Sequence, residues 1–148
     1  MMSNSGSTVR AVILAIILQA TASAQTEQQP VTANLCDVFV SPAVYNQKVL
    51  SVEGVISPSY HSLFLSSPAC RPKEDLDLTT EAILPLSWES IPNGKQLRRF
   101  LHRGKSASVR LVGTFEGDAH RYGPDGARFR FVIREISSVG KTPPNFHL

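Results

Sequence analysis

The sequence predicts a mainly β protein: a small five-stranded barrel, closed or partly open, with one short helix between its third and fourth strands and another ahead of the first. Three observations carry that expectation. Extended runs with a two-residue alternation recur along the chain, and only residues 94–104 switch convincingly to the helical period in the second half. Glycines stand inside two of the runs, at Gly54 and Gly113, where a tightly coiled barrel needs its strands to bend. With 148 residues, 42% of them hydrophobic and 18% charged, the chain suits one globular domain with a real core.

The amino terminus comes first. Residues 1–24 show the three parts of a secretory signal peptide: a polar stretch with Arg10, an apolar run at 11–18, and Ala22-Ser23-Ala24 before Gln25. Cleavage is expected after Ala24, which places the protein in the periplasm or outside the cell. The apolar run is short for a membrane span and no later stretch approaches one, so no span is expected after cleavage. In an oxidising compartment Cys36 and Cys70 are most simply one disulfide. It would close a loop of roughly 35 residues, for which loop-closure entropy gives about 4 kcal/mol. Their spacing is not that of a Cys-x-x-Cys pair, and no histidine has a matching ligand spacing. No metal or cofactor is assigned.

Residues 25–34 are polar and patternless and read as a flexible tether, with the barrel domain at 35–140 and a proline-containing tail at 141–148. Ser41-Pro42 starts the short N-terminal helix, serine as cap and proline at the first helical position. In the run 48–58, Leu50, Val52, Gly54 and Ile56 share one face. Residues 60–66 form the second strand after the Ser57-Pro58-Ser59 turn. Residues 67–80 are a long loop holding Cys70 and the acidic cluster Glu74, Asp75 and Asp77. Residues 82–86 form a third strand, which Pro85 consigns to an edge, and Trp88 is a core or rim anchor. In the helix at 94–104, Leu97, Phe100 and Leu101 make the apolar stripe. Arg98, Arg99, His102 and Arg103 complement its C-terminal dipole, and Gly104 ends it. Residues 106–116 and 127–136 are the fourth and fifth strands, joined by a turn-rich hairpin loop at 117–126.

Strand, strand, strand, helix, strand, strand is the order of the oligonucleotide/oligosaccharide-binding (OB) barrel, with the helix where that fold keeps its barrel plug. The run Cys36, Ser41-Pro42, Tyr45-Asn46-Gln47-Lys48, Leu50, Val52, Gly54 and Cys70 also resembles a loose group of small exported bacterial proteins of unassigned function. In that group a cysteine, a proline-initiated helix ending in Tyr-x-x-Lys, a Val-x-Val-x-Gly strand and a second cysteine succeed one another. Leu50 and Gln47 depart from the pattern, at the first valine and at the glycine that is common before the lysine. The resemblance covers residues 35–138 and implies fold and export, with no catalytic residue to carry over.

Charge is uneven. Residues 25–94 hold 3 basic and 8 acidic side chains, for −5, whereas residues 95–148 hold 11 basic and 4 acidic, for +7. The candidate site is the arginine row Arg110, Arg128, Arg130 and Arg134. If the last two strands pair, these fall on one outward face, where guanidinium forks can take phosphate, carboxylate or sulfate. Like charges across neighbouring strands are unfavourable, so such a row asks for a reason. Nucleic acid is disfavoured, because on the fifth strand Phe129 and Phe131 take the core face and the arginines the other, and because export is expected; bases would need aromatics beside the basic groove. Asp118, His120 and Asp125 have the donor types for a metal, but aspartate and glycine in that loop are what a turn requires in any case. The chain has no Gly-x-Ser-x-Gly, His-Glu-x-x-His or P-loop motif. The expected function is a non-enzymatic binding or interaction module for an anionic ligand or an exported partner protein. The alternative is a small hydrolase or metal-dependent enzyme with its site in residues 117–126 and 67–80.

Overall fold

The computed structural model describes residues 28–70, 79–118 and 120–144. The expected signal peptide at 1–24, the acidic residues Glu74, Asp75 and Asp77, and tail residues 145–148 lie outside the described residues. The wall starts at β2, Val49–Pro58, numbered after the short β1, Val31–Thr32, which pairs parallel to it. Leu50, Val52 and Ile56 face inward and are buried. Gly54 keeps the inward alternation without a side chain. A Cβ there would come within 2.7 Å of the Ser66 carbonyl oxygen and 2.9 Å of Leu35 Cδ1, so its absence lets two neighbours close on the strand.

β2 is followed by β3 (Leu63–Ser66), β4 (Thr80–Ile83), β5 (Ala107–Glu116) and β6 (Phe129–Lys141). The strand order runs β2-β3-β4-β6-β5, and β5 returns to β2 in register from Val49↔Thr114 to Ile56↔Ala107. The result is a closed, mixed five-stranded barrel of OB-like form, parallel only between β4 and β6, with β1 added outside the ring. Val52, Leu111 and Phe131 lie at its centre with almost no exposure.

Each end has its own stopper. Helix α1, Leu35–Val40, buries Leu35, Val38 and Phe39, and the Phe39 ring stacks on Phe129 at 5.5 Å. Asn34 caps it by accepting the Cys36 N–H, and the Cys36–Cys70 disulfide pins it to the segment after β3. At the other end α3, Gly94–Leu101, buries Leu97, while Phe100 and Leu101 pack against the core. Gly104, at φ +65°, turns the chain out of it. Asn93 holds the start of α3 to β6 by donating to the carbonyls of Ile136 (2.8 Å) and Ser137 (3.1 Å).

Several boundaries differ from expectation, each for a local reason. The turn expected at Ser57-Pro58-Ser59 lies at residues 59–62, because Ser57 and Pro58 pair with Phe64 and Leu63 of β3. Regular structure begins at Val31, because residues 31–33 find backbone partners on β2, including Ala33 N–H to Ser51 O at 3.0 Å. The helix expected from Ser41-Pro42 is α2 (Pro42–Tyr45), with no cap bond from the Ser41 side chain, and a further helix, α1, precedes it where none was expected. β4 ends before Pro85 and lies between β3 and β6, so the edge inferred from that proline is corrected. β6 runs on to Lys141 because two residues are extra in its pairing with β5. Between Ile133↔Gly113 and Glu135↔Val112 the extra residue is Arg134; between Ile136↔Leu111 and Ser138↔Arg110 it is Ser137. Each bulge resets the alternation, which is why Arg134 and Glu135 are both exposed and Ile136 returns to the core. Among the described residues no helix is long and apolar enough to cross a membrane.

Candidate anion-binding site

The four arginines expected to form a row do not stand together. Arg110 faces Ser138 across the β5–β6 pairing whereas Arg130 faces Glu116, eight residues away along β6, a separation on the order of 20 Å. Arg110 is opposite Glu53 on β2 and binds its carboxylate through Nε at 2.9 Å. Arg128 donates to the Asp118 carbonyl at 3.2 Å and lies 5.5 Å from the centre of the Phe129 ring. Arg130 sits between Glu81 of β4 (3.3 Å) and Glu116 of β5 (3.6 Å), with its guanidinium 4.5 Å over the Tyr122 ring. Arg134 projects from its bulge into solvent.

The loop between β5 and β6 folds back on that face. Tyr122 bridges Ala127 and is almost fully buried, and its hydroxyl donates to Asp118 at 2.6 Å. Burial first, and the hydrogen bond to Asp118 second, push the Tyr122 hydroxyl up to about 12. The same bond, helped by the His120 N–H, holds the Asp118 carboxyl below its ordinary value. Gly123 adopts φ +64° directly against the Glu81 carboxylate, where a Cβ would collide. Asp118 and Tyr122 are therefore engaged with each other, and Arg121 donates to the Gly126 carbonyl at 3.3 Å. Among the described residues no three His, Cys, Asp or Glu side chains converge in a way that could hold a metal ion.

Free positive charge gathers at the α3 end instead. A cleft of about 710 Å³ opens there, with Arg99, Arg103, Lys105 and Lys141 on its walls beside Phe100 and Pro143. That volume is of small-ligand size. No carboxylate lines the cleft, and none of the four cations has an acidic partner among the described residues. Arg98, on the same helix, is taken by Glu89 at 2.8 Å. Thr142, also on the wall, has a buried hydroxyl with no hydrogen-bond partner. A second hollow of about 590 Å³ lies between β1, α1 and β2, but it contains the Glu53–Arg110 pair and its charges balance.

The way the chain folds explains the cluster. Arg99 and Arg103 are one helical turn apart and so share a face, a like-charge spacing that costs a few tenths of a kcal/mol. The left-handed turn at Gly104 then brings Lys105 back to the barrel wall. The two bulges carry β6 far enough for Lys141 to pair with Ala107, two residues beyond Lys105. Sequence reasoning had Arg99 and Arg103 as dipole complements and Lys141 in the tail. The signal for the cluster was the +7 of residues 95–148; what it lacked was a register to say which cations are left over.

No protein-family model, no curated protein and no solved structure matches the chain.

Proposed function

We propose that this chain is an exported, disulfide-stapled, non-enzymatic binding module that takes an anionic ligand in the cleft at the α3 end of its barrel. One observation carries the reading: Arg99, Arg103, Lys105 and Lys141 surround a single cleft with no acid among them. Ordinary surface cations spread out or pair, as Arg98, Arg110 and Arg130 do here. Four left together repel one another and are relieved by a bound anion, to which guanidinium and ammonium groups make charge-assisted hydrogen bonds. Both ends of the barrel are stoppered by buried helix residues, which favours recognition on the outer surface over capture in the lumen. Export is supported by the amino-terminal pattern, by the disulfide, and by the resemblance to small exported bacterial proteins. Against the enzyme alternative stands the state of the β5–β6 loop, whose Asp118 and Tyr122 already hold each other.

The test is titration of the chain with dextran sulfate at two ionic strengths. Binding should weaken with salt. Arg103→Glu with Lys105→Glu should lower affinity about tenfold or more, since each lost charge-assisted bond is worth about 1.5–3 kcal/mol. Arg134→Glu, away from the cleft, should leave affinity within about twofold. Equal losses at both places, or binding indifferent to salt, would sink the proposal.

A further inference from the structure

The end of the barrel that carries the basic cleft also carries the two most exposed large apolar side chains among the described residues, Tyr60 at 93% and Leu86 at 108%. Tyr60 caps the β2–β3 hairpin, packed edge-on against His61. That hairpin adjoins the cleft, because Ser57, near the end of β2, shares a hydrogen bond of 2.7 Å with Ser106 on the cleft wall. Leu86 comes after β4, which lies beside β3 with Phe64 opposite Glu81, so the chain beyond Ile83 leaves the barrel at the same end. Two residues later Trp88 packs on the start of α3.

We infer that this end docks on an anionic lipid bilayer, with Tyr60 and Leu86 entering the interfacial layer while Arg99, Arg103, Lys105 and Lys141 meet the lipid phosphates. This rests on the anionic-ligand reading and names where the anion is held. Two loops that each hold out one large apolar residue are costly in water and useful at a headgroup boundary, where tyrosine in particular settles with its ring apolar and its hydroxyl wet. Neighbouring Lys and Arg supply long-range attraction to a negative surface. Charge complementarity selects this end over the other. On the loops of the α3 end the one described carboxylate, Glu89, is bound to Arg98. The α1 end also exposes valines, Val40 and Val44, but Asp37, Glu116, Asp118 and Asp125 lie at that end beside Lys48, Arg121 and Arg128. An anionic surface would therefore turn the molecule α3 end first.

The experiment uses the chain from Gln25, which holds every described element, with vesicles of phosphatidylglycerol or of phosphatidylcholine, and dextran sulfate as the soluble anion. Cosedimentation with phosphatidylglycerol vesicles is expected, and none with phosphatidylcholine. The only tryptophan, Trp88, should shift its emission to the blue on the former. Tyr60→Ser with Leu86→Ser should weaken vesicle binding about tenfold and leave dextran sulfate binding unchanged, because apolar insertion contributes only at a bilayer. Circular dichroism checks that this exposed pair leaves the fold intact, and each single variant should show part of the loss. Vesicle binding that ignores the double substitution overturns the docking inference. Binding of dextran sulfate without phosphatidylglycerol vesicles overturns it too, while the anionic-ligand reading stands. Binding of neither removes both.

Discussion

Arg130 and Arg103 belong to the same basic half of the sequence and have opposite fates. Arg130 lies on a strand with a neighbour on each side, and each neighbour brings a carboxylate into register with it: Glu81 from β4 and Glu116 from β5. Arg103 lies just past the end of α3, where the nearby charges along the chain are Arg99 and Lys105. A strand cation is neutralised by pairing geometry, whereas a helix-end cation is surrounded by whatever its own segment carries. The difference teaches that the charge balance of a segment locates a surplus, and that strand register decides where the surplus is left.

The largest expected effect comes from breaking the neutralised side. Arg130→Met leaves Glu81, whose side chain is only 8% exposed, without its cation. The loss should be about 3 kcal/mol in urea unfolding, the usual scale for stranding one member of a buried pair. Adding Glu81→Gln should recover most of it. Arg103→Met, at an exposed site with no partner, should stay within about 0.5 kcal/mol. Similar costs at the two positions would erase the contrast between the regions.

Alkaline titration probes the same face from the loop that covers it. Tyr122 is held protonated in the fold, with its value raised from 10.0 to about 12. A group whose folded value lies above its unfolded one stabilises fully below the unfolded value. That contribution therefore disappears as pH rises from about 10 through about 12, and is on the order of 2 kcal/mol. Tyr122→Phe should show no such limb between those pH values, and the difference in 295 nm absorbance between the two proteins should report the late ionisation. Asp118 works at the other extreme: its lowered value means that its share is present above the ordinary carboxylate range and is lost as pH falls through the lowered one. Among the described residues the α3 end has no counterpart to the Tyr122–Asp118 pair, so anion binding there should not track the Tyr122 limb.

Much of the fold was legible because its signals are local. Period two in 107–116, the helical stripe of Leu97, Phe100 and Leu101, and the inward glycines at 54 and 113 each depend on a few adjacent residues and are found in place, whereas β2 buries Val49, Val55 and Ser57 on its other face as well. What the sequence could not show was pairing. The bulges at Arg134 and Ser137 exist only relative to β5, and they break the very alternation from which a strand is read, so the sequence pattern ends at Ile136 while β6 runs to Lys141. The site suffered for the same reason. Arg110, Arg128, Arg130 and Arg134 look alike along the chain, yet Glu53, Asp118, Glu81 and Glu116 reach three of them only through tertiary structure. Lys141 joins the cleft only because the strand is two bulges longer than its pattern.

The smallest effect is the most exacting test of what makes a site. Glu53 and Arg110 are an exposed cross-strand pair, with side chains 69% and 57% accessible. A double-mutant cycle to alanine should give a coupling of about 0.2–1 kcal/mol, reduced further in salt. Glu53→Ala alone then does something more useful: it frees an arginine on the barrel wall with little cost to the fold. If anion binding requires several cations around one concavity, this liberated Arg110 should change affinity for dextran sulfate by less than about twofold, because a lone exposed charge is screened within a Debye length. A large gain would mean that freedom from a partner is sufficient by itself. The cleft at the α3 end would then be only one of many equivalent patches, and the clustering of Arg99, Arg103, Lys105 and Lys141 would lose its meaning.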